Sequence, residues 1–236
     1  MYNWDDILIV GDSFCSYRDT SDSWPQIVAC ALTGKKFDSA VQPRGKGFAG
    51  GAWWSYRKVL VREFSIKPPK VLIVCHTEPY RIPNDRDYSL NYVTVEDRIM
   101  TVDNEKHPMP VAVAEAAMAY YKELYSNEFH HWAVNQWFLE LDNLCKTNNV
   151  EKIIHLYCFD GEYTNYTFEH GTTVATPAMS SYAEKSRRVF FRFKNKVINH
   201  FTVAGNRLFA DSIIDLVENY QGNVRIHKKL VEYGTS

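Results

Sequence analysis

The sequence lacks an excess of charge of either sign. It holds 27 Lys and Arg residues against 28 Asp and Glu residues, which gives a formal net charge of -1 at pH 7. No run of basic residues interrupts this balance. Such a chain has no global field that would attract nucleic acid or an anionic membrane. We therefore expect neither of them as a partner.

Long hydrophobic runs are also lacking. The chain opens on MYNWDDILIV, in which a short apolar run follows two acidic residues and no basic residue comes before it. This pattern is typical of neither a secretory signal peptide nor a transmembrane helix. It predicts a cytoplasmic protein.

Cysteine is sparse, and its spacing matches no metal site. No two of the five cysteines have the separation that is typical of zinc ligands. Because their number is odd and no secretory signal precedes them, we expect reduced thiols, with neither a metal nor a cofactor. The five are Cys15, Cys30, Cys75, Cys145 and Cys158.

What the sequence does contain is the composition of one globular domain. Its 236 residues, of which 45% are hydrophobic and 23% are charged, are enough to form a core without disulfides or metals. We expect a single domain over residues 1–236. Aromatic residues make up 14% of the chain, an amount that predicts some of them at the surface or in a cleft.

Short apolar runs predict strands, and helical segments alternate with them. Runs that are apolar on both faces favour a parallel sheet covered by helices on both sides. The alternation predicts an α/β layered fold. The predicted strands are 6–10, 35–41, 70–75 and 152–158. The predicted helices are 21–32, 51–64, 111–147 and 202–222. Ser21 or Asp22 would cap the first and Thr202 the last, and the third would break near Ser126 and Asn127.

Two segments do not fit this alternation. Residues 79–110 contain four prolines with polar residues between them, and residues 159–180 have a similar character. We interpret both as insertions near the carboxyl edge of the sheet. Long insertions at that edge often shape a substrate cleft.

Gly11, Asp12 and Ser13 directly follow the first predicted strand. Ligands bind outside the carboxyl ends of the strands in an open parallel sheet, so a serine there is well placed for chemistry. A serine hydroxyl is a weak nucleophile and needs a base. By itself the triplet fits a nucleophile and an ordinary turn equally well.

Two further motifs could complete such a site. The segment RGKGFAGGAWW at 44–54 has four glycines, whose backbone amides can turn inward and hold an oxyanion. In NHFTVAGNRLFAD at 199–211, His200 stands just before the last predicted helix, where a base would be held on a rigid element. Alone, the first also fits a flexible turn, and the second a histidine without a catalytic role.

Together these motifs resemble the SGNH, or GDSL-type, hydrolase family. GDSF at 11–14 is similar to the first block of the family, GKGFAGG to the second and HFTVAGNRLFAD to the last. The resemblance extends from residue 6 to about residue 220. It implies a flavodoxin-like three-layer α/β/α sandwich and the hydrolysis of an ester or acetyl ester. Some relatives occur in bacteriophages.

The resemblance also implies roles for particular residues. Ser13 would attack the substrate carbonyl, and His200 would take its proton and return it to the leaving alcohol. The backbone amides of Ser13 and Gly47 would hold the oxyanion. Gly45 and Gly50 are the fallback choices for the second amide.

The chain departs from the family before the histidine. The family usually carries an aspartate three residues earlier, and this position is Val197 here. One interpretation is a Ser13–His200 dyad, in which a backbone carbonyl or a water orients the ring and Val197 packs among apolar groups. The other is a carboxylate supplied from elsewhere, for which Asp160 is a candidate.

The second departure follows the third predicted strand, where the family has an asparagine. Glu78 aligns near that position, and an ionised carboxylate cannot donate to an oxyanion. Asn84 lies further on and is a weaker substitute. We expect Glu78 to pair with Arg81 and, together with Asp12, to form part of the substrate-binding pocket.

Three functions stay open at this point. The first is an esterase for a small ester such as an O-acetylated carbohydrate, on whose sugar ring Trp53 or Trp54 could stack. The second is acyl transfer, which a site that excludes water would favour. The third is a protein of this fold that binds a ligand without turnover, which the two departures favour. The sequence does not fix the oligomeric state.

Overall fold

The computed structural model describes most of the chain. The described residues are 1–15, 22–38, 43–48, 51–86, 88, 90, 110–159, 166–174, 190–193, 196–201, 203–223 and 225–226, with only the backbone described at 190–193, 196–200 and 225–226. The predictions made for Ser21, Gly50, Asp160 and Thr202 lie outside the described residues.

Parallel strands form the centre of the molecule. The strands are β1 Ile7–Asp12, β2 Gly47–Phe48, β3 Val71–His76, β4 Lys152–Tyr157, β5 Thr172–Val174, β6 Phe190–Phe193, β7 Lys196–Phe201 and β8 Arg225–Ile226. Within the described part of the chain, six of them form one sheet in the order β2-β1-β3-β4-β5-β8, and every neighbouring pair is parallel. The remaining two, β6 and β7, form an antiparallel pair. The predicted α/β fold with a parallel sheet is therefore confirmed.

In the described part of the chain, five α-helices alternate with the strands. They are α1 Trp24–Thr33, α2 Trp53–Ile66, α3 Val111–Glu123, α4 Asn127–Thr147 and α5 Val203–Glu218. Each lies where the sequence predicts a helix, and the break between α3 and α4 falls at the predicted place. Ser126 marks it, because its side chain accepts a hydrogen bond from the backbone N–H of Phe129 at 3.2 Å.

The helices cover both faces of the sheet. Successive side chains of a strand point to opposite faces, so a strand covered on both sides is apolar throughout. In β1, Ile7 and Ile9 belong to the core cluster that contains residues of α1 and α5. Leu8 and Val10 belong to the other cluster, with residues of α2 and α4.

The strand β2 comes after the segment 35–41 that the sequence predicts as a strand. In that segment residues 35–37 are irregular and residues 39–41 lie outside the described residues, whereas β2 is a parallel neighbour of β1 and is preceded by a bridge between Leu8 and Arg44. Gly45 allows this later segment to approach β1. Its φ is 113°, and a Cβ there would lie 1.9 Å from the carbonyl oxygen of Ile9. The glycine-rich segment therefore lies against β1, where a side chain would be excluded.

Two further parts of the sheet region differ from the prediction. Thr172–Val174, inside the segment interpreted as an insertion at 159–180, pairs with β4 as the fifth strand. The hairpin of β6 and β7 was not predicted either. By contrast, the described residues between 79 and 90 contain no helix or strand, as expected for an insertion.

Two expectations from composition concern membranes and disulfides. Across the described residues, we find no helix with both the length and the apolar character needed to span a bilayer. All five cysteines are free thiols, as expected, and four of them are buried.

The backbone conformation of Gly11 and its closeness to β3 predict that a residue with a side chain destabilises this position. Its φ is 143°, and a Cβ would lie 2.0 Å from the carbonyl oxygen of Cys75. We expect Gly11→Ala to lower the free energy of unfolding by more than about 3 kcal/mol, since both backbone strain and overlap with β3 oppose it. Urea unfolding measures the change.

Gly222→Ala is the matched control. Gly222 also has a positive φ, 74°, but no atom lies within 4 Å of the Cβ position. Strain alone then costs about 1 kcal/mol. Equal losses for the two variants would contradict the close approach of β1 and β3.

Candidate functional site

Ser13 lies at the carboxyl edge of the sheet. It begins the 3-10 turn Ser13–Cys15, which follows β1 without an intervening residue. Because β1 lies between β2 and β3, this turn stands at the end of an interior strand, next to the edge strand β2. Ser13 is partly exposed, whereas its neighbours Asp12 and Phe14 are buried. The serine is thus the accessible residue of the turn.

Asp12 is the centre of the hydrogen bonds at this edge. Its Oδ1 accepts from Ser13 Oγ at 2.8 Å, and its Oδ2 accepts from Thr77 Oγ1 and Arg81 Nη1, both at 2.7 Å. The carboxylate is only 1% exposed. A buried carboxylate is tolerated when it is paired and hydrogen-bonded, and these three donors meet that condition.

Arg81 joins Asp12 to the loop after β3. Its Nε donates to Glu78 Oε2 at 2.8 Å, which confirms the expected ion pair between Glu78 and Arg81. Its Nη1 also donates to the carbonyl oxygen of Gly51 at 3.2 Å, and its Cζ lies 5.0 Å from the ring centroid of Phe159. Burial acts to lower the pKa of Arg81, but Asp12 and Glu78 outweigh it and raise that pKa.

The predicted oxyanion glycine lies beside the end of β1. Gly47 is the partner of Gly11 in the ladder between β1 and β2, and Asp12 is the partner of Phe48. Gly47 is therefore next to the part of β1 that leads into Ser13. Gly45 lies further back, against Ile9, which makes it the poorer of the two glycines for this role.

The strand that carries His200 reaches the same edge. β7 contacts the turn that follows β1, and the ring of Phe201 lies 6.3 Å from that of Phe14. Asn206 of α5 reinforces the contact. It donates to the carbonyl oxygen of Phe201 at 3.3 Å and accepts from the backbone N–H of Trp24 at 3.0 Å. The backbone at His200 is thus close to the turn, while the side chains of His200 and Val197 lie outside the described part of the structure.

Asn84 does not serve as the missing donor. Its Oδ1 accepts from the backbone N–H of Tyr88 at 2.8 Å. Its Nδ2 donates to the carbonyl oxygens of Ile82 and Tyr88. The side-chain amide therefore closes a local turn and has no role at Ser13.

The two tryptophans considered for sugar stacking have different environments. Trp53 packs into the core, where its ring stacks on Trp137 with the centroids 6.4 Å apart. Trp54 is partly exposed, and the guanidinium of Arg57 lies 4.8 Å from its ring centroid. Both side chains are partly exposed, and Trp53 is the one that packs against the core cluster.

Sequence reasoning missed Thr77 and a buried pair of histidines. Nε2 of His76 and Nδ1 of His155 are 3.1 Å apart, and Nε2 of His155 is 3.1 Å from the carbonyl oxygen of His170. A carbonyl only accepts, so Nε2 of His155 carries the hydrogen and its Nδ1 accepts from His76. Burial lowers the pKa of His155 to about 3, and burial together with His155 lowers that of His76. Both rings are neutral. The sequence feature that could have indicated their burial is that His76 ends the apolar run of β3 and His155 interrupts that of β4.

Comparisons with known proteins identify no relative of this chain. No protein-family model, no curated protein and no solved structure matches the chain. Among the described residues, no cluster of His, Cys, Asp and Glu side chains could hold a metal ion.

The histidine pair predicts that the protein loses stability in acid. Below about pH 6.5, His76 and His155 bind protons in the unfolded chain but stay neutral in the folded protein, because folding lowers their pKa values. The free energy of unfolding should then fall with pH from 6.5 towards 3, by at most about 1.4 kcal/mol per pH unit for each histidine. We expect His155→Gln to reduce this slope in urea unfolding between pH 6.5 and 4.5.

His131→Gln serves as the control for that slope. His131 lies on α4 and is partly exposed, away from the buried pair. This variant should follow the wild-type profile. If His155→Gln also follows it, the buried pair is not the source of the acid sensitivity.

Proposed function

We propose that the protein is a serine hydrolase of the SGNH type that cleaves a small ester, such as an O-acetylated carbohydrate. The observation that carries the proposal is the position of Ser13 at the carboxyl end of β1, partly exposed and hydrogen-bonded to the buried Asp12. The strand order β2-β1-β3-β4-β5 is that of a flavodoxin-like sheet, which supports the fold that the resemblance implies.

The proposed reaction is serine acyl transfer to water. Ser13 Oγ attacks the ester carbonyl while His200 takes its proton, and the carbonyl oxygen becomes an oxyanion. Backbone amides of Ser13 and Gly47 stabilise that oxyanion. The intermediate expels the alcohol, which receives the proton from His200. Water, activated by His200, then attacks the acyl group and releases the acid and free Ser13.

Asp12 holds the hydroxyl of Ser13 in the structure. Ser13 Oγ donates to Oδ1, while Oδ2 already accepts from Thr77 and Arg81. For catalysis the Ser13 side chain has to rotate so that its hydroxyl donates to His200. This rotation gives up a hydrogen bond to a charged group, which contributes about 1.5–3 kcal/mol, for a neutral one of about 1 kcal/mol, so it costs on the order of 1 kcal/mol.

A second candidate function is ligand binding without turnover. It is favoured by the same hydrogen bond, because the hydroxyl of Ser13 donates to the Asp12 carboxylate. The carboxylate of Glu78 near the position of the family's asparagine also favours it. The two functions differ in one property, the reactivity of Ser13 towards an electrophile.

A fluorophosphonate probe tests this property. We expect it to label the wild-type protein once, at Ser13, as read by intact mass and peptide mapping. Ser13→Ala should lose both the label and the hydrolysis of p-nitrophenyl acetate. His200→Gln should lower kcat by about 10²- to 10⁴-fold, because the general base is removed.

Ser65→Ala is the control for the serine substitution. Ser65 is exposed on α2, and its hydroxyl donates to the carbonyl oxygen of Arg62. This variant should keep wild-type labelling and hydrolysis. An unlabelled wild-type protein whose background hydrolysis equals that of Ser13→Ala would exclude the hydrolase and leave the binding protein.

A further inference from the structure

We propose that Arg81 is a catalytic residue that donates through Nη2 to the oxyanion formed on Ser13. It would stand in for the asparagine amide that the SGNH family places after its third strand. This inference rests on the proposed function, because it assigns a further donor to the same reaction. The proposed donor is the charged guanidinium of an arginine, whereas the family uses the neutral side-chain amide of an asparagine.

The first argument is proximity. Ser13 Oγ and Arg81 Nη1 bind the two oxygens of one carboxylate, that of Asp12, at 2.8 and 2.7 Å. Only this carboxylate and two hydrogen bonds separate the nucleophile from the guanidinium. The carbonyl carbon bonds to Oγ, and the oxyanion oxygen lies one bond further on. The oxyanion and the guanidinium are therefore both close to the Asp12 carboxylate.

The second argument is the donor that Arg81 leaves unused. A guanidinium has five N–H donors. In the structure, Nε donates to Glu78, and Nη1 donates to Asp12 and to Gly51. Within the part of the chain that the structure describes, Nη2 has no hydrogen-bond partner, so its two N–H groups are available to a substrate oxygen.

The third argument is rigidity. Glu78, Asp12 and the Gly51 carbonyl fix the guanidinium from three segments, and the ring of Phe159 lies against it. Arg81 is only 4% exposed. A donor that is already oriented and shielded from water needs no rearrangement when the charge appears, which makes it effective in catalysis. Glu78 then acts by positioning Arg81 and not by touching the substrate.

The fourth argument is charge. The ionised Asp12 lies next to Ser13, so an oxyanion there would face a negative carboxylate. Arg81 is the cation that Asp12 binds, and it compensates that charge at close range. Lysine cannot replace it, because one ammonium cannot match the fixed fork of donors that reaches Asp12, Glu78 and Gly51 together.

The test compares Arg81→Lys with Glu78→Gln by p-nitrophenyl acetate hydrolysis. Arg81→Lys should lower kcat by about 10²- to 10³-fold, the usual effect of losing one oxyanion donor, with little change in KM. Glu78→Gln keeps Arg81 and its bond to Asp12, so its kcat should fall by less than about tenfold. Circular dichroism and the Tm of each variant report whether the fold is kept.

A chemical rescue separates a catalytic from a structural role. Guanidinium chloride at a non-denaturing concentration should restore part of kcat to Arg81→Ala, and should restore none to Ser13→Ala. One outcome is that Arg81→Lys folds and keeps the wild-type kcat while the fluorophosphonate labels the wild-type protein. That result would contradict the role proposed for Arg81 and leave the proposed hydrolase function intact. If the wild-type protein is neither labelled nor active, both proposals fall.

The wild-type adduct decides the matter if the Arg81 variants do not fold. In a crystal structure of the phosphonylated protein, the phosphonyl oxygen occupies the place of the oxyanion. A hydrogen bond from Arg81 Nη2 to that oxygen is the expected result. An oxygen held by backbone amides alone would overturn the inference.

Discussion

The buried ion pair between Asp12 and Arg81 is the interaction on which the candidate site depends. It joins the end of β1 to the loop after β3, and through the other contacts of Arg81 it reaches the glycine-rich segment and Phe159, two residues after β4. Removing one partner of such a pair leaves an uncompensated charge in the interior, which typically costs 3–5 kcal/mol in stability. Stability and the geometry around Ser13 therefore have a common origin.

The central strands and the helices could be predicted because their sequence pattern is local. β1, β3 and β4 are apolar on both faces and lie in the middle of the sheet. The short strands were harder. β2 has two residues in a glycine-rich segment, and β5 has three residues, of which two are threonines. Such strands form because a neighbouring strand offers backbone partners, which no local pattern records.

The same distinction applies to the candidate site. The ion pair between Glu78 and Arg81 joins residues three positions apart, and the sequence predicted it. The bonds of Asp12 to Thr77 and Arg81 join residues 65 and 69 positions apart, so only the folded chain brings them together. Ser13 could be proposed from the sequence because a strand end is visible there, whereas the hydrogen bond of its hydroxyl to Asp12 was not predicted.

The wide spacing of these partners has a consequence for synthesis on the ribosome. β1 emerges first, yet its neighbours in the sheet and the cation for Asp12 come much later in the chain. Until Arg81 has emerged, burying β1 would also bury an uncompensated carboxylate. Contacts between distant residues also make folding slow. The segment that contains β1 should therefore gain protection only when β3 and its loop are complete.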